Sequence, residues 1–222
     1  MNSASLSASA APQVHDAEVA REYGPFDGAD CIHGVSFDGR YVWAATGTAL
    51  LAIDPDSGRP VRSLAVACDA GTTFDGTHLY QIAEARIDKI DPRSGEVLAS
   101  IPAPGAGADS GMAWAEGSLW VGQYRERRIH QIDPATGQIL RTIASDRFVT
   151  GVTWVDGQLW HGTDDGEHSD IRRVDPTNGQ VLEQLRMPER MHVSGVEADG
   201  AGLFYCGGGR SGVVRAVRRP RT

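Results

Sequence analysis

No apolar run in the 222 residues approaches the roughly 20 needed to span a bilayer, which argues against an integral helical membrane protein. Cysteine is scarce. Cys31, Cys68 and Cys206 cannot all pair and none stands in a C-x-x-C spacing, so disulfides are not expected to hold the fold. Basic residues are outnumbered, 21 against 29 acidic, for a formal net charge of −8. That sign repels phosphate backbones, and the sizeable basic cluster is a short C-terminal run, Arg215, Arg218, Arg219 and Arg221; nucleic acid is not an expected partner. The opening MNSASLSASAAPQ lacks the basic and apolar regions of a secretory signal. A cytoplasmic location with no membrane partner is the expectation.

What the sequence does have is a core and a period. Hydrophobic residues make up 41% of the chain, which excludes wholesale disorder, and glycine reaches 27 residues, about twice its usual share. The glycines recur. HGVSFDGRYVWAAT, AGTTFDGTHLYQIA, SGMAWAEGSLWVGQ, TGVTWVDGQLWHGT and SGVEADGAGLFYCG align on Gly34, Gly71, Gly111, Gly151 and Gly195, at steps of 37, 40, 40 and 44 residues. The first four are followed by IDPDSG, IDPRSG, IDPATG and VDPTNG, beginning at Ile53, Ile90, Ile132 and Val174.

Each copy reads as four short strands. The first ends at a hairpin signal such as Asp38-Gly39 or Glu116-Gly117, and the second carries an aromatic residue, Trp43, Tyr80, Trp120, Trp160 or Phe204. The third ends in the aspartate-proline turn, and the fourth is β-branched, as in Val61 to Val66 or Ile139 to Ile143. Four strands per roughly 40 residues is a propeller blade. The fifth copy has a third strand at Val213 to Val217 and no fourth, while Ala17 to Tyr23 precedes the first blade. The reading is an all-β, five-bladed β-propeller, one domain over residues 13–222 whose N-terminal strand closes the last blade, after a disordered tail over residues 1–12.

Equivalent positions in the blades form rings around one axis, and the entering loops make one mouth of the channel the expected site. Three residues before each repeat glycine stand Cys31, Cys68, Ala108, Phe148 and His192; one before stand His33, Ala70, Ser110, Thr150 and Ser194. Blades five, one and two are consecutive in a closed ring, so Cys31, Cys68 and His192, with His33 as fourth ligand or base, are expected to gather at the mouth. Thiolate and imidazole suit a transition metal ion such as Cu, Zn or Fe. The same Cys31 and His33 or His192 form a metal-free nucleophile and base in a second reading. One after the glycine, Val35, Thr72, Met112, Val152 and Val196 are read as an apolar plug. Asp69 and Asp109, two before their glycines, are read as pointing away and bracing loops, and Cys206 as core. The loops joining second and third strands supply a rim of Glu84, Gln123, Tyr124, Arg125, Asp164, Asp165, His168 and Arg210, with TDDGEHSD, from Thr163, read as a solvated hairpin tip. Trp43, Trp114, Trp120, Trp154 and Trp160 are assigned to packing between blades.

The repeats resemble those of the quinoprotein and YVTN type of bacterial propeller, which share the phrase seen here as IDPATG. The blade number is similar to that of the plant-type glutaminyl cyclases (glutamine cyclotransferases), and DGQLW is similar to a phrase of the virginiamycin B lyase-like propellers. The likeness covers nearly the whole chain and consists of blade-building motifs, so it implies fold and a site at the channel mouth. The cyclases' mouth motif, similar to FTxGL, falls on Cys31, Ile32, His33, Gly34 and Val35, where only the glycine matches, and their EGWGLT and NELE phrases are absent.

Three functions follow as expectations. The first is a metal-dependent enzyme of lyase or oxidoreductase type acting on a small-molecule substrate, with Cys31, Cys68 and His192 as ligands and His33 as base. The second is a metal-free cyclotransferase or lyase using His33, His192 and rim carboxylates such as Glu84. The third is a binding module presenting the Arg125, Arg127, Arg128 hairpin to a partner.

Overall fold

The computed structural model describes residues 11–220, and five small sheets, antiparallel but for one added strand, surround one axis. Residues 1–10 of the expected tail lie outside the described residues. Two strands come first, β1 (Gln13–Asp16) and β2 (Val19–Tyr23). Blade 1 is β3 (Gly34–Phe37), β4 (Val42–Ala45), β5 (Leu50–Ile53) and β6 (Pro60–Leu64). Blade 2 is β7 (Thr72–Phe74), β8 (Leu79–Ala83), β9 (Arg86–Ile90) and β10 (Val97–Pro102). Blade 3 is β11 (Asp109–Ala115), β12 (Ser118–Gln123), β13 (Arg128–Ile132) and β14 (Ile139–Ala144). Blade 4 is β15 (Val149–Val155), β16 (Gln158–Asp164), β17 (Ser169–Val174) and β18 (Val181–Arg186). Blade 5 is β19 (Gly195–Ala198), β20 (Leu203–Gly207) and β21 (Val214–Arg218), completed by β2.

The closure therefore runs as the repeats imply. Strand β2 pairs antiparallel with β21, Tyr23 opposite Val214 and Val19 opposite Val217, and Glu22 accepts from Arg215 at 2.6 Å. One pairing was not expected: β1 runs parallel to β18, Gln13 opposite Glu183, as a fifth strand on blade 4. Among the described residues no helix is long and apolar enough to cross a membrane.

The repeated phrases fold as turn chemistry dictates. Glu116-Gly117 and Asp156-Gly157 place both residues at positive φ, the geometry of a two-residue hairpin turn. In IDPDSG, Asp54 Oδ1 accepts the N–H groups of Asp56 (2.9 Å) and Ser57 (2.8 Å), and Gly58 takes the left-handed conformation. Those N–H groups, Ser57 first, hold the Asp54 carboxyl below its ordinary range.

Blade faces pack on blade faces. Trp43, Trp120 and Trp160 are buried, and Trp114 stacks on Tyr80 and Trp154 on Trp120, each across the seam to the preceding blade. Such ring pairs add to the large apolar burial each aromatic contributes. At the axis only backbone fits. A Cβ on Gly34 would meet Gly71, one on Gly71 would meet Gly111, one on Gly111 would meet Gly151, one on Gly151 would meet Gly195, and one on Gly195 would meet Gly34. Five glycines thus form a closed ring in which each blade touches the next main chain to main chain.

Candidate functional site at the channel mouth

A blade is a radial sheet, so its innermost strand turns an edge to the axis and its two faces to the neighbouring blades. Side chains of that strand alternate between the two seams, not between channel and seam. Val35, Met112, Val152 and Val196 accordingly lie in four different inter-blade cores, and the glycine ring with adjoining main chain closes the channel where an apolar plug was expected.

The same rule disperses the expected metal ligands. Residues three before each glycine reach back to the preceding blade. Cys68, fully buried, packs with Trp43, Ala45 and Leu50 of blade 1. His192 turns to blade 4, where its Nδ1 lies 2.9 Å from Asp164 Oδ2. Cys31 turns to the blade 5 side, near Arg210, with its Sγ 4.0 Å from His33 Nδ1. Phe148 turns to blade 3 and stacks on Tyr124. Cys31, Cys68 and His192 thus enter three different seams, and among the described residues no group of three or more His, Cys, Asp or Glu is placed to hold a metal ion. The residues do not fit the Cu, Zn or Fe site that register suggested. As a nucleophile Cys31 is also poorly served, since burial pushes its thiol up despite Arg210. Cys206 is core as expected, in the seam between blades 4 and 5, its thiol pushed up to about 12 by burial.

One step nearer the glycine the expectation holds. His33, Ala70, Ser110, Thr150 and Ser194 all line a single cavity of about 300 Å³ at the mouth, completed by Asp69, Asp109, Tyr124, Asp164 and Val193. Asp69 and Asp109, read as loop braces pointing away, do both jobs. Asp69 Oδ1 accepts the Glu84 N–H at 3.0 Å, and Asp109 accepts the Gly105 N–H at 2.9 Å and the Gln123 amide at 3.4 Å, while both carboxylates face the cavity. Burial pushes the Asp109 carboxyl above its ordinary range, opposed by the Gly105 and Gln123 hydrogen bonds. Gly105 leaves room for this arrangement, because a Cβ there would stand 2.7 Å from both Asp109 Oδ1 and Gln123 Nε2.

The remaining rim residues divide. Tyr124 walls the cavity and its hydroxyl donates to the Asp164 carbonyl at 3.1 Å. Asp164, placed in a solvated hairpin tip by sequence, instead lines the mouth, fixed by the Gly166 N–H and His192; only Asp165 and His168 behave as the tip. Glu84 does not line the cavity: its side chain is exposed and faces Arg86 at 3.5 Å. Gln123 is buried behind Asp109 and Arg210 is exposed beside Cys31. Two larger hollows, about 580 and 660 Å³, follow the outer margin of blade 5, where Arg218 and Arg219 are committed to Glu18 and Asp156.

The fold and site define a five-bladed propeller with a blind, carboxylate-lined mouth. By sequence, no protein-family model and no curated protein matches the chain. By structure it is similar to Myxococcus xanthus glutaminyl cyclase, with TM-score 0.78 and 16% identity over 94% of this chain and 98% of that one. It is also similar to a chain of a mitotic checkpoint complex (TM-score 0.50, 13% identity, 86% of this chain and 64% of that one) and to Kuenenia stuttgartiensis hydrazine synthase (0.50, 16%, 81% and 56%). At these identities the likeness is one of fold, and it bears out the expected resemblance to the five-bladed cyclases at that level.

Proposed function

We propose that the chain is a metal-free cyclotransferase of the glutaminyl-cyclase kind, acting at the channel mouth on a small molecule or peptide end that carries a free amine and a side-chain amide. The observation that carries this reading is Asp109, a carboxyl at the wall of a blind cavity, held by two donors and raised by burial above the ordinary carboxylate range. A carboxylate whose proton affinity is raised is a better proton acceptor, which suits general base work.

The reaction needs one proton moved between two nitrogens. The amine nitrogen attacks the side-chain amide carbonyl, forming the lactam C–N bond. Asp109 accepts the proton the amine must lose and returns it to the departing nitrogen as the old C–N bond breaks, so ammonia leaves and the carboxylate is regenerated. Gln123 and the Gly105 N–H position Asp109, and the closed floor holds the two reacting groups of one molecule together without an exit behind them. His33, on the opposite part of the wall, supplies the imidazole of the expected second reading; Asp109 takes the place assigned there to Glu84.

The test is ammonia release and mass loss from glutaminyl dipeptides with wild type and Asp109→Asn. General acid–base catalysis by this group predicts a loss of about 10²- to 10⁴-fold in kcat. Equal rates in the two proteins, or no ammonia from any glutaminyl peptide, would remove the reading.

A further inference from the structure

Each blade ends in an outer strand, and a free sheet edge is a template for a further strand unless something guards it. The five edges are not alike. That of blade 4 is taken, since β1 lies parallel along β18. Blade 5 ends in β2, which carries Arg21 and Glu22, and blade 1 in β6, which opens on Pro60 and continues with exposed Arg62. Blade 2 ends in β10, closed by Pro102. The Ala103 N–H turns inward to the Ala85 carbonyl at 3.0 Å, so by alternation Pro102 stands where an outward N–H would otherwise be.

Blade 3 lacks these guards. Its outer strand β14, ILRTIA, contains no proline, and its one charge, Arg141, is folded back over the Trp120 ring of the same blade at 5.0 Å. Ile139 is 45% and Leu140 54% exposed, Leu140 more than any other large apolar side chain among the described residues. The Ser145 N–H turns inward to the Arg127 carbonyl at 2.8 Å, which leaves the N–H and C=O of Thr142 and Ala144 directed outward.

Blade 4 shows that such an edge can seat a strand, and it also shows why β1 is not the strand for blade 3. On β18, His15 Nε2 lies 3.2 Å from Glu183 Oε1. Arg141 holds the register position in blade 3 that Glu183 holds in blade 4, so His15 would meet a cation there. The β14 strand is instead complementary to itself. Run antiparallel about Thr142, two copies set Thr142 opposite Thr142, exchanging two main-chain hydrogen bonds, and Leu140 beside Ala144. Arg141 then faces Ile143, so no like charges oppose one another across the pair.

We infer that the outer edge of blade 3 is an interface between two copies of this chain, β14 pairing antiparallel with β14 of the second copy and joining two four-stranded sheets into one. The pairing is isologous and closes at the dimer. An edge this short buries less than about 1,200 Å² in total, so the dimer is a weak, reversible one.

The test is sedimentation velocity of the full chain from about 1 to 500 µM, the range in which small interfaces associate, in about 0.15 M salt to screen the net charge. A reversible monomer–dimer equilibrium is expected. Leu140→Lys should weaken it at least tenfold, while Leu98→Lys, which adds the same charge to the outer strand of blade 2, should leave it within about twofold. Both side chains are exposed, and thermal melts verify that both variants are folded. Hydrogen exchange of the Thr142 and Ala144 amides should slow on going from dilute to concentrated protein. A monomer throughout the range, association that survives Leu140→Lys, equal loss in both variants, growth beyond the dimer, or exchange at Thr142 and Ala144 that does not slow in the dimer overturns the inference.

Discussion

Replacing Gly71 by alanine tests whether the axis is held by main-chain contact. Gly71 does not lie in the left-handed region, so alanine can adopt its backbone conformation without local strain. The added Cβ, however, would stand 2.6 Å from Met112 N, 2.7 Å from Gly111 C and 2.8 Å from Gly111 Cα. All three are backbone atoms of the next blade, and relief to ordinary contact requires blade 2 to retreat from blade 3 by roughly 0.7 Å, with the closed ring passing the shift onward. Overpacking of this kind costs about 3 kcal/mol, at the upper part of the usual range, only partly offset by about 0.5 kcal/mol gained from a stiffer unfolded chain. For a chain of 222 residues that corresponds to a fall in Tm of about 5–10 °C. Gly157→Ala is the comparison. It has nothing within 4 Å but a φ of 72°, so it should lose only about 1 kcal/mol, for conformational reasons. Urea unfolding at fixed m-value measures both. A Gly71→Ala protein no less stable than Gly157→Ala would refute the glycine ring as the reason the blades close at this radius.

Three other perturbations read separate parts of the structure. Glu197, half-buried with Oε1 accepting from Thr153 Oγ1 at 2.6 Å, is raised by desolvation to about 8 from an ordinary 4.5. The folded chain then holds one more proton than the unfolded chain between those values, so stability should fall as pH rises through that window and the fall should vanish in Glu197→Gln; parallel urea curves at pH 5 and 8.5 that show no difference would refute it. Cys68→Ser puts a hydroxyl into an apolar seam and should lose about 1–3 kcal/mol, whereas half-exposed Cys31→Ser should change stability by less than about 0.5 kcal/mol; equal effects would contradict the different seams assigned to them. Removing residues 1–16 takes, among the described residues, the strand β1, whose four residues are exposed, and should leave a cooperative melt, whereas removing residues 1–23 uncovers β21 and takes buried Tyr23 from the core between blades 5 and 1; a sharp transition in the shorter chain would refute closure by β2.

The architecture was legible because blades are built from local signals. Asp-Gly and Asp-Pro turns act within six residues, the aromatic of the second strand recurs once per blade, and a missing fourth strand in copy five had an obvious substitute in Ala17 to Tyr23. The added β1 was not legible, since QVHD has no period to distinguish it and its pairing with β18 is fixed by residues some 170 positions away. For the site, the ring beginning at His33 was correct and the ring beginning at Cys31 was not, for one geometric reason. Alternation along the inner strand was referred to the channel, whereas the two sides of a radial sheet are its seams. Asp69 and Asp109 were assigned away from the mouth by the same error. Their signal was present: two carboxylates at one register position in consecutive blades, each followed by the small residue Ala70 or Ser110 that leaves the mouth open.

That geometry also separates what builds the propeller from what equips it. The repeat glycines, tryptophans and aspartate-proline turns build the axis, the seams and the outer loops, and none of the ten cavity residues is one of them. The residues that do line the mouth vary from blade to blade at fixed register: His33, Ala70, Ser110, Thr150 and Ser194 at one level, and Asp69, Asp109 and Val193 at the level above, where blades 1 and 4 have Ile32 and Val149 outside the lining. Five nearly equivalent blades would make a five-fold symmetric cavity. This one is polarised, with Asp69 and Asp109 contributed by blades 2 and 3, Asp164 and Tyr124 closing the side toward blade 4, and His33 on blade 1. The departure from repetition, rather than the repetition, is therefore where the proposed chemistry would reside.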